Sequence, residues 1–396
     1  MGQRIGNIGL LNIMNATEES IKKIDYIENV GMLMYSPNNA HLLTSLSIGN
    51  IGESISVEKD YQVTNGMISL DAAFLQAVKE PLSILINGAI IINEDVTADL
   101  LKTAEIKIIT NGVIYSPPHL KGAVQTKMKK TSGTILTYEG KEPRPEIGKV
   151  TINNSYLQSL SGNENIIVNG VLTMDEMLDM DMFAEKLNRI DVNGVVELYE
   201  HQNAYFTNKG LVNGSKTIIP NGYKHIKSMR SLDRHSIRRF KSQSIFTKKP
   251  IVLEKDITRE MYANAFQFIH TTSYIVCHEE IEDLVFESLH NFENEVYIYH
   301  ENMRFINEEQ WGKMDFQMLD DGTTLIVEKE LTITDDLSID DCKKIDSIIL
   351  LGEIHVPNSE VKAVLQKHIK VFNGLIIDDS LTNETVEIRN IGELTL

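Results

Sequence analysis

The side chains best suited to chemistry fall in three groups. His278 stands beside Glu279, Glu280 and Glu282 and next to Cys277, residue types that ligate metal ions. A strand end running into an acidic helix start accounts for the same residues without a metal, since carboxylates favour a helix's first turn. Asp335, Asp336, Asp340 and Asp341 suggest calcium at first sight, but they lack the alternate spacing and central glycine of a calcium loop. The third group is cationic: YKHIKSMRSLDRHSIRRFKSQSIFTKK (223–249) holds nine Lys and Arg against one acid, Asp233, a local net of +8 on a chain of net −18. Within it Ile226, Met229, Leu232, Ile237 and Phe240 recur at three to five, which predicts a basic amphipathic helix. Phosphate-loop, HExxH and GxSxG signatures are absent. The expectation is a chain with no catalytic residue, no cofactor and no metal site. A carbohydrate-active β-helix enzyme is the alternative, and it would need two carboxylates about 5 to 9.5 Å apart in a groove.

The elements that must carry these groups repeat. Residues 110–124 (TNGVIYSPPHLKGAV) overlie 350–364 (LLGEIHVPNSEVKAV), with Gly112 on Gly352, Ile114 on Ile354 and Pro117 on Pro357. MISLDAAFLQAVKEPLSILING (67–88) overlies KVTINNSYLQSLSGNENIIVNG (149–170) at offset 82, and the same offset carries Gly66 to Gly148 and Gly112 to Gly194. Glycines at 9, 31, 52, 66, 88 and 112, then 148, 170 and 194, then 352, 374 and 392 are mostly 21 to 24 residues apart. Each period reads as an apolar strand, Asn-Gly, a second apolar strand and a helical stretch. Isolated Asn-Gly hairpins would explain each site singly but not the fixed period. One such unit cannot bury its apolar face alone, whereas stacked units share a core. The fold expected is an α/β repeat solenoid of stacked strand-turn-helix units, mostly parallel β, leucine-rich-repeat-like or β-helix-like. It would have roughly 14 to 16 rungs and a length on the order of 70 Å.

The rung Ile106, Ile108, Asn111, Ile114, Pro117, Leu120, Val124 resembles the leucine-rich repeat, LxLxxNxLxxxPxxLxxxL, over about half the chain. That resemblance implies inward strand positions at Ile84, Ile106, Ile108, Ile166 and Ile190. It also implies that Asn87, Asn111, Asn169 and Asn193 satisfy backbone groups at the bend, with Asn373 in a rung whose spacing slips by one. Structural turns are accordingly expected at Asn87-Gly88, Asn111-Gly112, Asn169-Gly170, Asn193-Gly194 and Asn373-Gly374.

Where the pattern breaks, functional loops are expected. The boundaries read as repeats over 1–126, a loop over 127–147, repeats over 148–222, the basic amphipathic insert over 223–250, and repeats over 251–396 with an aromatic insert near 300–321. Candidate binding residues are Lys227, Arg230, Arg234, Arg238, Arg239, Lys241 and Trp311. The acidic net charge argues against nucleic acid as the main partner, because phosphate binding needs clustered cations. No stretch of about 18 apolar residues predicts an integral membrane segment. The N-terminus reads as mature protein, and Gly6 fails the serine or threonine that a myristoylation motif wants. Two cysteines form no disulfide framework, which places the chain in the cytoplasm. The function expected is a noncatalytic scaffold that binds protein partners, itself among them as a homo-oligomer, with an acidic partner or membrane surface as the alternative for the basic insert.

Overall fold

The computed structural model describes residues 3–57, 61–110, 112–128, 133–228, 231–380 and 387–396. The chain is α/β, and every strand pairing among these residues is parallel. The reason is local: between rungs of a ladder a short helix or turn returns the chain, so the next rung enters in the same direction. Side chains that cap helices by accepting a backbone N–H recur, as at Asp71, Thr97, Asn153 and Asp179.

The pairings form ladders of four rungs. One joins Tyr61–Leu70, Leu82–Ile92, the pair Ile106–Thr110 and Val113–Ser116, and Thr134–Thr137. The next joins Arg144–Ile152, Glu164–Met174, Leu187–Tyr199 and Gly210–Ile219. A further ladder takes its first rung from the far end of the chain: Glu387–Thr395 pairs with Gln3–Asn12, followed by Ile24–Tyr35 and Ile48–Ser56. These three ladders make up one compact unit, Met1–Asn221 with Thr385–Leu396.

The second unit, Gly222–Glu384, holds two more. One runs from Lys224–His225 through Gln243–Thr247 with Ile251–Val252, then Phe266–Thr271 with Ile275–His278, to Val296–Tyr299. The other runs from Asn302–Trp311 through Thr323–Ile333, then Ile345–Leu350 with Glu353–Val356, to Ile369–Phe372 with Leu375–Asp378. First rungs thus begin at Tyr61, Arg144, Lys224, Asn302 and Glu387, 78 to 85 residues apart. The offset of 82 maps one ladder onto the next. Gly112 and Gly352 both stand in third rungs, three ladders apart.

Each ladder has its own apolar core between strands and helices. Ile84, Ile86, Ile106, Ile108 and Leu120 fill one, Ile166, Val168, Phe183, Ile190 and Val192 another. Alternate side chains point the other way and join neighbouring ladders within a unit. Leu10, Met32 and Met34 meet Leu85 and Ile109; Ile91, Tyr115 and Tyr138 meet Ile167; Val276, Tyr297 and Tyr299 meet Ile326 and Ile349. In each case the outward face of a rung's second half packs on the first half of the next ladder's rungs.

Several expectations need correction. Asn169-Gly170 and Asn193-Gly194 are not turns between strands, because they lie inside Glu164–Met174 and Leu187–Tyr199, and Asn87-Gly88 lies inside Leu82–Ile92. Their role is close stacking. A Cβ on Gly194 would sit 2.1 Å from the Gly170 carbonyl oxygen, and one on Gly170 would sit 2.2 Å from that of Gly148. Gly112 and Gly374 do separate half-strands, yet each meets the glycine of the rung before in the same way. The stretch 127–147 is not one loop: it carries Thr134–Thr137 and the start of Arg144–Ile152. Nor is 223–250 one amphipathic helix. It holds two short strands and the 3-10 turn Ser236–Arg239, and Leu232, Ile237 and Phe240 are core residues of a rung. The insert near 300–321 is likewise a rung, the strand Asn302–Trp311 with the helix Lys313–Gln317.

Candidate interaction surface and polar pockets

Because the described residues of 223–249 fold as two rungs, Ile226, Leu232, Ile237 and Phe240 turn inward and the described cations are left outside, while Met229 lies outside the described residues. Lys227, Arg234, Arg238, Arg239 and Lys241 are all exposed, while Arg230 and Asn111 lie outside the described residues. Arg234 Nε lies 3.7 Å from Asp256 Oδ2, and its backbone N–H donates to Oδ1 of the same carboxylate. Arg239 stacks over the ring of Phe240, 5.0 Å from its centroid. Arg238 and Lys241 make no ion pair or hydrogen bond among the described residues. Asp233 holds the turn instead of neutralising the patch. Its carboxylate accepts the N–H groups of His235 and Ser236, and those bonds pull its pKa down to about 2. The structure therefore gathers Arg234, Arg238, Arg239 and Lys241 on and beside one turn that precedes the strand Gln243–Thr247.

Trp311 does not belong to that surface. Its side chain is 5% exposed and packs edge-on against Phe316 in a core. The indole N–H donates to Glu309, which also pairs with Arg304 at 3.0 Å. Beside them opens a cavity of about 490 Å³, lined also by Met303, Asp315 and Leu319. Asn302–Trp311 is a first rung, so this cavity is the end of a ladder's core with a charged plug over it. Arg144–Ile152, another first rung, has the same device: Arg144 pairs with Glu146 at 2.9 Å, and the Tyr156 hydroxyl donates to Glu146. Terminal repeats need such polar cover.

A second cavity, about 430 Å³, is lined by Tyr138, Asn165, Asn188, Arg189, Asp191 and Lys209 among others. Asp191 is 3% exposed, accepts from Arg189 Nε at 2.8 Å and from the Leu211 N–H at 3.1 Å. Burial and this carboxylate push the Tyr115 hydroxyl well above its ordinary pKa. Asn165 donates to the carbonyls of Glu139 and Lys141 and accepts from Asn188. Lys209 donates to the carbonyls of Ala184 and Leu187, closing the helix Met180–Lys186 of the rung before. Asn165, Arg189, Asp191 and Lys209 are thus engaged in joining strands and ladders.

The remaining candidates are caps. His278 Nδ1 accepts the Glu280 N–H and its Nε2 meets the His300 carbonyl, which leaves neither nitrogen open. Asp341 accepts from Ser338 and pairs with Lys313 at 3.0 Å, contacts that hold its pKa far below the usual range. Among the described residues no group of three His, Cys, Asp or Glu is placed to hold a metal. Asn193 and Asn373 depart from the bend role implied by the leucine-rich repeat, while the Asn87 side chain, like Asn111, lies outside what the structure describes. Asn193 Nδ2 is buried without a partner, and Asn373 donates to the Tyr297 hydroxyl at 3.3 Å, linking two ladders. Lys127 binds the carbonyls of Lys102 and Ala104 and Lys344 those of Gln317 and Leu319 as Lys209 does at its own helix, a role no motif announces, although Lys127 and Lys209 are related by the same offset of 82. Comparison with protein-family profiles, with curated proteins and with solved structures finds no match to this chain.

Proposed function

We propose that this protein is a noncatalytic repeat scaffold, built of short leucine-rich-repeat-like solenoid segments, that docks an acidic protein surface on the cations of 224–249. The observation that carries the reading is the pairing state of those cations: Arg238 and Lys241 are exposed and without a partner among the described residues, on a chain of net −18. A chain with so many carboxylates neutralises a cation cheaply, so cations left free mark a face that meets charge from elsewhere. The candidate acids and histidines support a noncatalytic role, since they cap helices, plug core ends and tie ladders. Parallel rungs paired 20 to 24 residues apart support the solenoid segments. The acidic remainder of a second copy is one surface of the required charge.

The test compares wild type with a variant carrying Arg234→Glu, Arg238→Glu and Arg239→Glu. All three sites are exposed, so the variant is expected to fold as wild type. Proteins retained from the native cell by immobilised wild type should be lost from the variant, and their retention should weaken as salt rises. Identical retention by both proteins would overturn the reading.

A further inference from the structure

The ladder that runs from Lys224–His225 to Val296–Tyr299 is charged unevenly along its length. Residues 222–265, its first two rungs, hold eleven Lys and Arg against Asp233, Glu254, Asp256 and Glu260, a net of +7. Residues 266–301, its last two rungs, hold eight acids and no Lys or Arg, a net of −8. Each junction between its rungs joins a basic side chain to a carboxylate. Arg234 lies 3.7 Å from Asp256 across the first, Arg259 pairs with Asp283 at 2.6 Å across the second, and His300 meets Glu279 at 2.9 Å across the third.

The two ends of this ladder present opposite signs. At the first rung Arg238, Arg239 and Lys241 are exposed on and beside the turn Ser236–Arg239. At the fourth, the turn before Val296–Tyr299 carries Phe292, 89% exposed, and exposed Glu293. That turn is anchored: the Asn294 N–H donates to the Asn291 carbonyl, and Asn294 Nδ2 donates to the Thr271 carbonyl at 2.7 Å. The Glu293 carboxylate makes no ion pair or hydrogen bond among the described residues. Two rungs separate the ends, so neither end can neutralise the other within one ladder.

We infer that the fourth-rung end of this ladder docks on the first-rung end of the same ladder in a second copy. The contact repeats between molecules the pairing of basic side chain and carboxylate that already joins the rungs within one. Guanidinium groups pair with carboxylates and also stack on aromatic faces, so Arg238 and Arg239 suit both Glu293 and Phe292. The inference rests on the basic-surface reading and names its partner, an acidic end that the chain itself supplies. A contact between unlike ends is heterologous: it builds rings or open chains of copies and not a two-fold pair.

The experiment follows mass by light scattering over a wide concentration range for wild type and two variants. A first-rung variant carries Arg238→Gln, Arg239→Gln and Lys241→Gln; a fourth-rung variant carries Phe292→Ser and Glu293→Gln. Wild type is expected to grow past two chains and to come apart as salt rises. Each variant alone should bind itself about tenfold or more weakly. Mixed in equal amounts, the two should form a one-to-one pair and stop, because each keeps the end that the other lacks, and that pair also shows that both are folded. A wild type that stays monomeric or stops at two, a variant that assembles like wild type, or a mixture no larger than its components would each overturn the inference. A monomeric wild type whose retained cell proteins are still lost on arginine substitution would overturn it too, while leaving the basic-surface reading standing.

Discussion

At the scale of single residues, the glycines do more than the charged side chains. Gly194 has φ +139°, and an added Cβ would lie 2.1 Å from the Gly170 oxygen, so alanine there meets both backbone strain and a carbonyl that the ladder prevents from moving. Gly194→Ala should cost on the order of 4 kcal/mol in urea unfolding. Gly122 is the control: it sits in the helix Lys121–Lys127 with nothing within 4 Å of a Cβ, and Gly122→Ala should stabilise by about 0.5 to 1 kcal/mol. Equal effects at the two sites would mean that the close stacking of glycines is not what holds the rungs. The spacing of the glycines was legible in the sequence, but its reason was not. Asn-Gly between apolar runs reads as a hairpin turn, and only the neighbouring rung shows that the missing Cβ makes room for a carbonyl.

At the scale of elements, helices of six or seven residues are too short to stand on intrinsic propensity. They persist because both ends are tied. Asp179 accepts the N–H groups of Asp181 and Met182 at the start of Met180–Lys186, and Lys209 from the next rung binds carbonyls at its end. Asp179→Ala should destabilise by about 1 kcal/mol, the usual worth of such a cap, with loss of amide protection confined to that helix and its flanking strands. Protection lost evenly across the protein would contradict a local role. The caps at Asp71 and Asn153, and those at Thr97 and Asp179, are themselves 82 residues apart, so this part of the design is written in the sequence. The basic stretch shows the opposite case. Its apolar spacing of three to five fits a helix and also fits a turn between two rungs, and packing of Leu232, Ile237 and Phe240 into a core decided for the rungs.

At the scale of the whole molecule, the ladder beginning with Glu387–Thr395 ties the two ends of the chain. Ile391, Leu394 and Leu396 pack against the core of Ile5, Ile8 and Leu11, and the Leu396 N–H donates to the Asn12 carbonyl at 2.9 Å. Deleting 387–396 should therefore strip hydrogen-exchange protection from Gln3–Asn12 while the core strands around Val168 and Val192 keep theirs. Restored protection on adding a synthetic 387–396 peptide would show that the strand, and not the covalent connection, is what that ladder needs. Unchanged protection after the deletion would rule out this contribution.

The sequence by itself determined the period, the inward positions and the parallel strand-helix alternation. These depend on contacts between residues near in the chain or one rung away, which leave a regular mark. Ile84, Ile106, Ile108, Ile166 and Ile190 are all buried where the repeat places them. Only the tertiary structure decided that the rungs group in fours and that a C-terminal strand opens the N-terminal ladder. It alone showed that Trp311 lies in a core and that Arg189 and Asp191 meet beside Tyr138. Those facts rest on which outward faces meet across ladders, and outward side chains such as Ile91, Tyr115 and Ile167 carry no periodic signal to say whether water or another sheet will cover them.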